Sequence, residues 1–380
     1  MRVLHVNANG APVGGTETYL AALLAAQVAR GDSVSLVHRN ATANFPTGVS
    51  YEAVQDDDDA WGSVQRQKPD VVHVHDWSLS RELEKRVRAR YPVVTSLHSF
   101  AFACASGEHY FRDGTVCTRR HGVGCLAGLT LKGCAHGRDP RRPVEQFLEI
   151  SRRLPGLRES RAIVVASSFV RSVAMTNGFA PEHCHVIPYF VRRPAEPPPL
   201  GRSRDVVFVG RVVRNKGVDV LVSALALIPT MWSRLLVVGD GWNRDRCVRL
   251  SIELGVREKV DFLGWRSPRE VGQILERVRM LALPSRWPEP FGIVGLEAMA
   301  QARPVVASRI GGIPEWLDDG RTGLLATPGD PASLAEALAS VLDDDHRAES
   351  IGYEGWRRAA HFSVEQHLES LDDVYQRAAA

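Results

Sequence analysis

The sequence contains no apolar run approaching the ~18 residues that a membrane-spanning helix requires. Its first residues, Met1-Arg2-Val3-Leu4-His5-Val6-Asn7, read as a short strand rather than a signal peptide. It also lacks a dominant charge: 47 Lys+Arg against 44 Asp+Glu leave a formal +3 over 380 residues, so charge makes no case for a nucleic-acid partner. Cysteine is sparse, six in all and without a C-x2-C pair, which argues for a reducing compartment rather than a disulfide-built secreted domain. The expected location is the cytoplasm, with peripheral membrane contact left open. A third glycine of the dinucleotide fingerprint is missing after Gly14-Gly15-Thr16-Glu17, so no nicotinamide cofactor is implied.

What the sequence does have is 44% hydrophobic content in a chain long enough for two or three domains. Strand-like runs at residues 3–6, 33–37, 71–75, 93–97, 162–166 and 186–187 alternate with helical periodicity at 16–30, 79–90 and 169–177. A proline-rich stretch over 192–201 interrupts the pattern and reads as a connector. The alternation then resumes, with strands at 205–210, 235–238, 260–263, 280–283, 304–307 and 323–325, and closes on helical segments at 332–342, 346–360 and 364–377. This predicts an α/β fold of doubly wound parallel sheets. Ligands of such sheets bind beyond the C-terminal strand ends, here expected in a cleft between the domains. Aspartates 56–59 read as a solvated turn before a loop or helix start, and residues 99–143 as a long loop without secondary structure.

The most informative stretch runs from Ser285 to Ala300, SRWPEPFGIVGLEAMA. Pro288 and Pro290 keep Glu289 out of a helix that begins near Phe291. Gly292 and Gly295 leave its first turn open, so an anion could approach the backbone N–H groups around Ile293. Glu297 lies roughly 7–8 Å further along at ~1.5 Å per residue, about the span from a diphosphate to a ribose.

Other constellations sit at predicted strand ends. Gly14-Gly15 shape either an anion-accepting turn or a tight β–α turn capped by Thr16. Gly210-Arg211 with Lys216-Gly217 place two cations at a helix start, suited to a diphosphate or merely solvated. His98, then Asp76 and Trp77 after the strand carrying His73 and His75, fall where a cleft would be lined. Gly264-Trp265-Arg266 offers a wall for a nucleobase, or a packing tryptophan. Gly311-Gly312-Ile313-Pro314-Glu315 is a further glycine-rich turn near the same pocket. The arginine-rich loop holds Cys104, Cys117, Cys125 and Cys134, either free thiols or ligands of a structural zinc. It is expected on the acceptor side, where its charge hints at an anionic acceptor.

Together these motifs resemble the family 4 glycosyltransferases, retaining enzymes of GT-B architecture with two Rossmann-like domains facing a central cleft. The resemblance rests on Gly14-Gly15-Thr16-Glu17, Gly210-Arg211 with Lys216-Gly217, Glu289 with Glu297, and Gly311-Gly312 with Pro314-Glu315. It implies an acceptor-side domain over residues 1–195, a donor domain over 196–360, and a final segment, 361–380, that crosses back to the first domain. It further implies a nucleotide-diphosphate-sugar donor, and a small-molecule, glycan or lipid-linked acceptor bearing a hydroxyl. Glu289 would hold donor-sugar hydroxyls and Glu297 the ribose. Arg211 and Lys216, with Gly210, Arg266 and the amides of Phe291, Gly292 and Ile293, would bind the rest of the donor. His98 would sit near the reacting sugar and Gly15 would line the floor. No active-site metal is expected, because the two cations replace it and the departing phosphate takes the acceptor's proton. A catalytically silent nucleotide-sugar-binding subunit and a nucleotide-sugar epimerase are the alternatives. Three positions depart from the family pattern: Ser99 after His98, Pro188-Tyr189-Phe190-Val191 after the sixth strand, and Ala302, where a glycine is common before Pro304.

Overall fold

Alternating apolar strands and amphipathic helices assemble, in a computed structural model, into two compact units: Met1–Tyr189 with Val364–Ala380, and Phe190–Ser363. The structure describes residues 1–10, 14–40, 46–75, 79–131, 133–134 and 141–379. Asp76 and Trp77 lie outside them.

In the first unit the described strands are β1 (Arg2–Asn9), β2 (Ser33–Asn40), β3 (Ser50–Ala53), β4 (Val71–His75), β5 (Val93–Leu97), β6 (Ile163–Val165) and β7 (Cys184–Val186). They form one parallel sheet in the order β3-β2-β1-β4-β5-β6-β7. Helices α1 (Gly15–Arg30), α2 (Asp57–Gln67), α3 (Arg81–Arg88), α4 (Val123–Leu131), α5 (Arg142–Arg158) and α6 (Ser168–Thr176) connect the strands. Every residue of β4 and β5 is buried, as expected of parallel strands with both faces covered.

The second unit repeats the scheme with β8 (Val206–Val209), β9 (Leu235–Val238), β10 (Val260–Gly264), β11 (Met280–Leu283), β12 (Val305–Ser308) and β13 (Leu324–Ala326). Their order is β10-β9-β8-β11-β12-β13, again parallel. The helices are α7 (Val218–Leu227), α8 (Arg244–Glu253), α9 (Pro268–Leu275), α10 (Ile293–Ala300), α11 (Pro331–Leu342) and α12 (Asp345–Ala359). Helix α13 (Val364–Ala379) belongs to the first unit, where Arg30 pairs with Asp372 and Tyr19 bonds His367. Each sheet reverses its strand order once, between β1 and β4 and between β8 and β11, and ligands of open parallel sheets gather at such reversals.

Three expectations are corrected. Asp56 is not part of a solvated turn but the N-cap of α2, accepting from the Asp59 N–H, while Asp57 to Asp59 form the acidic first turn. The segment 99–143 is not without secondary structure: it contains α4, a bridge between Tyr110 and Val116, and the start of α5. The cap of α1 is Gly14 and not Thr16, and it contributes no side-chain hydrogen bond.

Candidate active site

After β8 the chain turns through Gly210 and a short 3-10 turn, Arg214–Lys216, into α7. Gly217 takes φ 73°, and a Cβ there would lie 1.9 Å from the Pro284 carbonyl oxygen, so only glycine lets this turn lie against the end of β11. Arg286 ties the two loops together. Its guanidinium bonds both Asp219 oxygens at 2.7 and 2.8 Å, and its N–H donates to the Asn215 carbonyl at 2.8 Å. The sequence reading gave Arg286 and Asp219 no role, although a carboxylate inside the otherwise apolar VDVLVSALAL helix needs a partner.

Lys216 Nζ reaches Glu289 at 2.7 and 2.9 Å, and Ser285 donates to the same carboxylate. The Glu289 side chain is only 4% exposed, so the pair is largely out of water. The Glu289 backbone is braced as well: Gly312 donates to its carbonyl at 2.8 Å, and a Cβ on Gly311 (φ 61°) would strike it at 2.3 Å. The glycine-rich turn after β12 therefore holds Glu289 in place.

Gly292, at φ 84°, is the N-cap of α10, so the helix starts two residues after Phe291. Trp316 Nε1 donates to the Phe291 carbonyl at 2.6 Å. Gly292, Ile293 and Val294 stay partly exposed, whereas Gly295 and Leu296 are buried, leaving the first N–H groups of the helix open to an anion. Glu297 is in a different state from Glu289. It makes no hydrogen bond or ion pair among the described residues, and desolvation of its carboxyl pushes its pKa up to about 7 although part of the residue remains accessible. Arg211 is exposed and its guanidinium has no partner among the described residues. Arg266, half-buried after β10, donates to the Trp265 carbonyl at 3.0 Å beside a tryptophan that is 61% exposed.

Lys216, Glu289 and the start of α10 thus come together at the strand-order reversal of the second sheet. The 590 Å³ cavity lined by Arg193, Pro198, Glu276 and Gln301 lies elsewhere, on the side where β11 and β12 begin, and holds none of these groups.

In the first unit, Gly15 opens α1 with nothing within 4 Å of where a Cβ would stand. His98 follows β5 and is buried, bonded through Nε2 to His75 at 2.9 Å and through Nδ1 to the Tyr189 hydroxyl at 2.7 Å. Burial pushes its pKa down to about 3, so the ring is neutral. Cys104, Cys117, Cys125 and Cys134 are half-buried free thiols. Burial, with help from the other three, pushes Cys134 up to about 11.

Comparison with known proteins follows this division. Residues 13–193 match the family described as Glycosyltransferase Family 4, and residues 194–358 the family Glycosyl transferases group 1. A D-inositol 3-phosphate glycosyltransferase of Corynebacterium diphtheriae is 35% identical over 185 residues, 47% of this chain and 43% of that protein. The match therefore spans less than half of that relative. The fold resembles sucrose-phosphate synthase from Thermosynechococcus elongatus, with a TM-score of 0.76, 21% identity, and 99% and 98% of the two chains covered. It also resembles Anabaena HepE in complex with UDP and glucose, with a TM-score of 0.72, 21% identity and 98% of each chain covered. No described helix is long and apolar enough to cross a membrane. With two parallel-sheet units of GT-B type and both family matches in sequence order, the chain belongs to the family 4 glycosyltransferases.

Proposed function

We propose that this chain transfers a sugar from a nucleotide-diphosphate sugar to a hydroxyl-bearing acceptor, with retention of anomeric configuration and without an active-site metal. One observation carries the reading. A buried Lys216–Glu289 pair stands beside an open helix start, with the Glu297 carboxyl, unpartnered among the described residues, further along that helix. In this reading the donor diphosphate takes Lys216, Arg211 and the first amides of α10. Two positive groups and a helix N-terminus stabilise charge that grows on the leaving phosphate. Glu289, held by Ser285 and Gly312, accepts from donor-sugar hydroxyls, and Glu297 accepts from the ribose. The acceptor oxygen bonds to the anomeric carbon on the face the diphosphate leaves. The C–O electron pair goes to the phosphate oxygen, which takes the acceptor's proton. His98 is assigned a place near the reacting sugar.

The name of the Corynebacterium relative and the UDP held by HepE make UDP-sugars and phosphorylated polyols the first substrates to try. The test is nucleotide release and product formation with a panel of UDP-, GDP- and ADP-sugars, with chelator present. The expected result is turnover with at least one donor and a product of the donor's anomeric configuration. Neither binding nor turnover across the panel would overturn the transferase reading. An inverted product would overturn retention, and loss of turnover on chelation would overturn metal independence.

For the cysteine loop we propose one structural zinc. Cys134 lies over Gly128 of α4, 3.5 Å from where a Cβ would stand, and Cys125 occupies the same helix one turn earlier. The thiols of Cys104, Cys117 and Cys125 lie near enough to Cys134 to raise its pKa, although among the described residues the one group of three donor atoms within 4.8 Å is a histidine cluster. About one zinc per chain, lost on Cys-to-Ser substitution, is the expected metal analysis. Zinc-free folded protein would refute it.

A further inference from the structure

Beneath the first sheet's strand ends lies a group of buried imidazoles that the proposed chemistry does not use. His5 of β1 and His73 and His75 of β4 are all fully buried. His5 Nε2 meets Gln27 Oε1 at 2.8 Å and His5 Nδ1 meets His75 Nε2 at 2.9 Å. His75 Nδ1 meets His98 Nε2 at 2.9 Å, and His98 Nδ1 meets the Tyr189 hydroxyl at 2.7 Å. A side branch runs from the Gln27 amide nitrogen to the Tyr375 hydroxyl at 3.5 Å, on to His73 Nδ1 at 2.7 Å, and from His73 Nε2 to the Ser96 hydroxyl at 2.7 Å.

A neutral imidazole has one N–H and one acceptor nitrogen, so the polarity of one bond in such a chain fixes all the others. Gln27 turns its carbonyl to His5, so His5 donates from Nε2 and must accept at Nδ1. His75 then donates from Nε2 to His5, His98 donates from Nε2 to His75, and Tyr189 donates to His98 Nδ1. On the branch, the Gln27 amide donates to Tyr375, Tyr375 to His73 Nδ1, and His73 to Ser96. Reversing the amide would reverse every tautomer.

We propose that Gln27 is a positioning residue that, through His5 and His75, locks His98 as the Nε2–H tautomer, so that His98 offers only an acceptor nitrogen on its outer side. This rests on the transferase reading and sharpens it. A neutral ring with an acceptor Nδ1 recognises a hydroxyl that takes the place of Tyr189, and it repels the oxygens of a phosphate. A cation held by His5, His73 and His75, whose donor atoms lie within 4.8 Å of one another, is the rival. All six of their ring nitrogens already have protein partners, so an ion would have to break at least two hydrogen bonds, the shared His5–His75 bond and one of those made by His73.

The test is ring-nitrogen NMR of the full chain labelled in histidine, at neutral pH. Wild type should show His5, His73, His75 and His98 all as Nε2–H. Gln27→Leu should mix the His98 tautomers and lower turnover roughly tenfold with donor KM unchanged, as expected when orientation alone is lost. A wild-type Nδ1–H tautomer at His5, His75 or His98 would overturn the proposal, as would a His98 spectrum unmoved by Gln27→Leu. A bound ion released by His73→Ala would overturn it too. The wild-type spectrum decides even if the variant does not fold. It is independent of turnover, so inactivity toward every donor would sink the transferase reading and leave the tautomer result standing.

Discussion

The two units set polar groups at the same topological point of their sheets, but they stabilise them by opposite means. The second unit uses charge: Lys216 with Glu289 and Arg286 with Asp219, each carboxylate almost fully buried against a cation. The first uses neutral groups only: Gln27, His5, His73, His75, His98, Tyr189 and Tyr375 hydrogen-bond one another. Buried ion pairs keep a site ready for charged ligands but are costly to break from one side. A neutral chain costs little to bury while every member has a partner, and it carries direction rather than charge.

The sharpest test of this contrast is acid. Burial holds His5 and His367 at about 4 and His98 at about 3, against an ordinary 6.5. Below pH 6.5 the unfolded chain takes up protons that the folded first unit refuses, so its stability falls as pH drops toward 4. Each histidine contributes about 1.4 kcal/mol per pH unit in that window. The second unit has only His346 and His361, both exposed, and should show no such loss. Hydrogen exchange resolved by peptide at pH 7.5 and 5 should find the first unit loosened and the second not. Equal behaviour of the two units would break the comparison.

Next in size is Lys216→Ala. It leaves Glu289 buried with Ser285 as its remaining side-chain partner, a loss of about 3–5 kcal/mol. Turnover should fall ~10²–10³-fold, as when a donor to a developing anion is removed, and by more than donor affinity falls. Equal losses in kcat and affinity would make Lys216 a binding residue alone. Thermal unfolding read beside the kinetics separates instability from lost chemistry.

Glu297 turns the pH argument round. Its folded pKa of about 7 lies above the ordinary 4.5, so between those values the native state keeps a proton that the unfolded chain releases. Its contribution to stability therefore falls as pH rises from 4.5 to 7, by roughly 3 kcal/mol at most. Glu297→Gln should stabilise the second unit above pH 7 and make little difference below 4.5. If the carboxylate accepts from a ribose, free-nucleotide affinity should rise with pH through about 7. It should drop roughly tenfold in Glu297→Ala, the worth of one charge-assisted hydrogen bond. Affinity unchanged by either would refute the ribose role.

Much of this was legible before any coordinates. Strands β4, β5, β9 and β11 coincide with the expected runs because continuous β-branched and aliphatic stretches have no other use in a doubly wound sheet. Single candidates marked by their place at a strand end or helix start, such as His98, Lys216 and Glu289, could be named too. Partnerships were not. Nothing local in the sequence pairs Arg286 with Asp219, 67 residues away, or His5 with His75, 70 residues away. Helix α4, with glycines at 124 and 128 and little amphipathic pattern, gives no periodic signal.

Ala302 shows what a single departure from family pattern can mean. Helix α10 ends in a Schellman turn: Arg303 N–H bonds the Ala298 carbonyl and Ala302 N–H the Met299 carbonyl, both at 2.9 Å. The residue between must be left-handed, and Ala302 is, at φ 55°. An alanine there carries ~1–2 kcal/mol of steric strain that glycine lacks, offset in part by glycine's greater freedom in the unfolded chain. The position is buried, so the lost methyl also forfeits some packing. Ala302→Gly should therefore stabilise the second unit by about 0.5–1 kcal/mol, a shift of ~2–4 °C in its midpoint at most, with turnover unchanged. A destabilised variant would mean that the methyl's packing outweighs the strain.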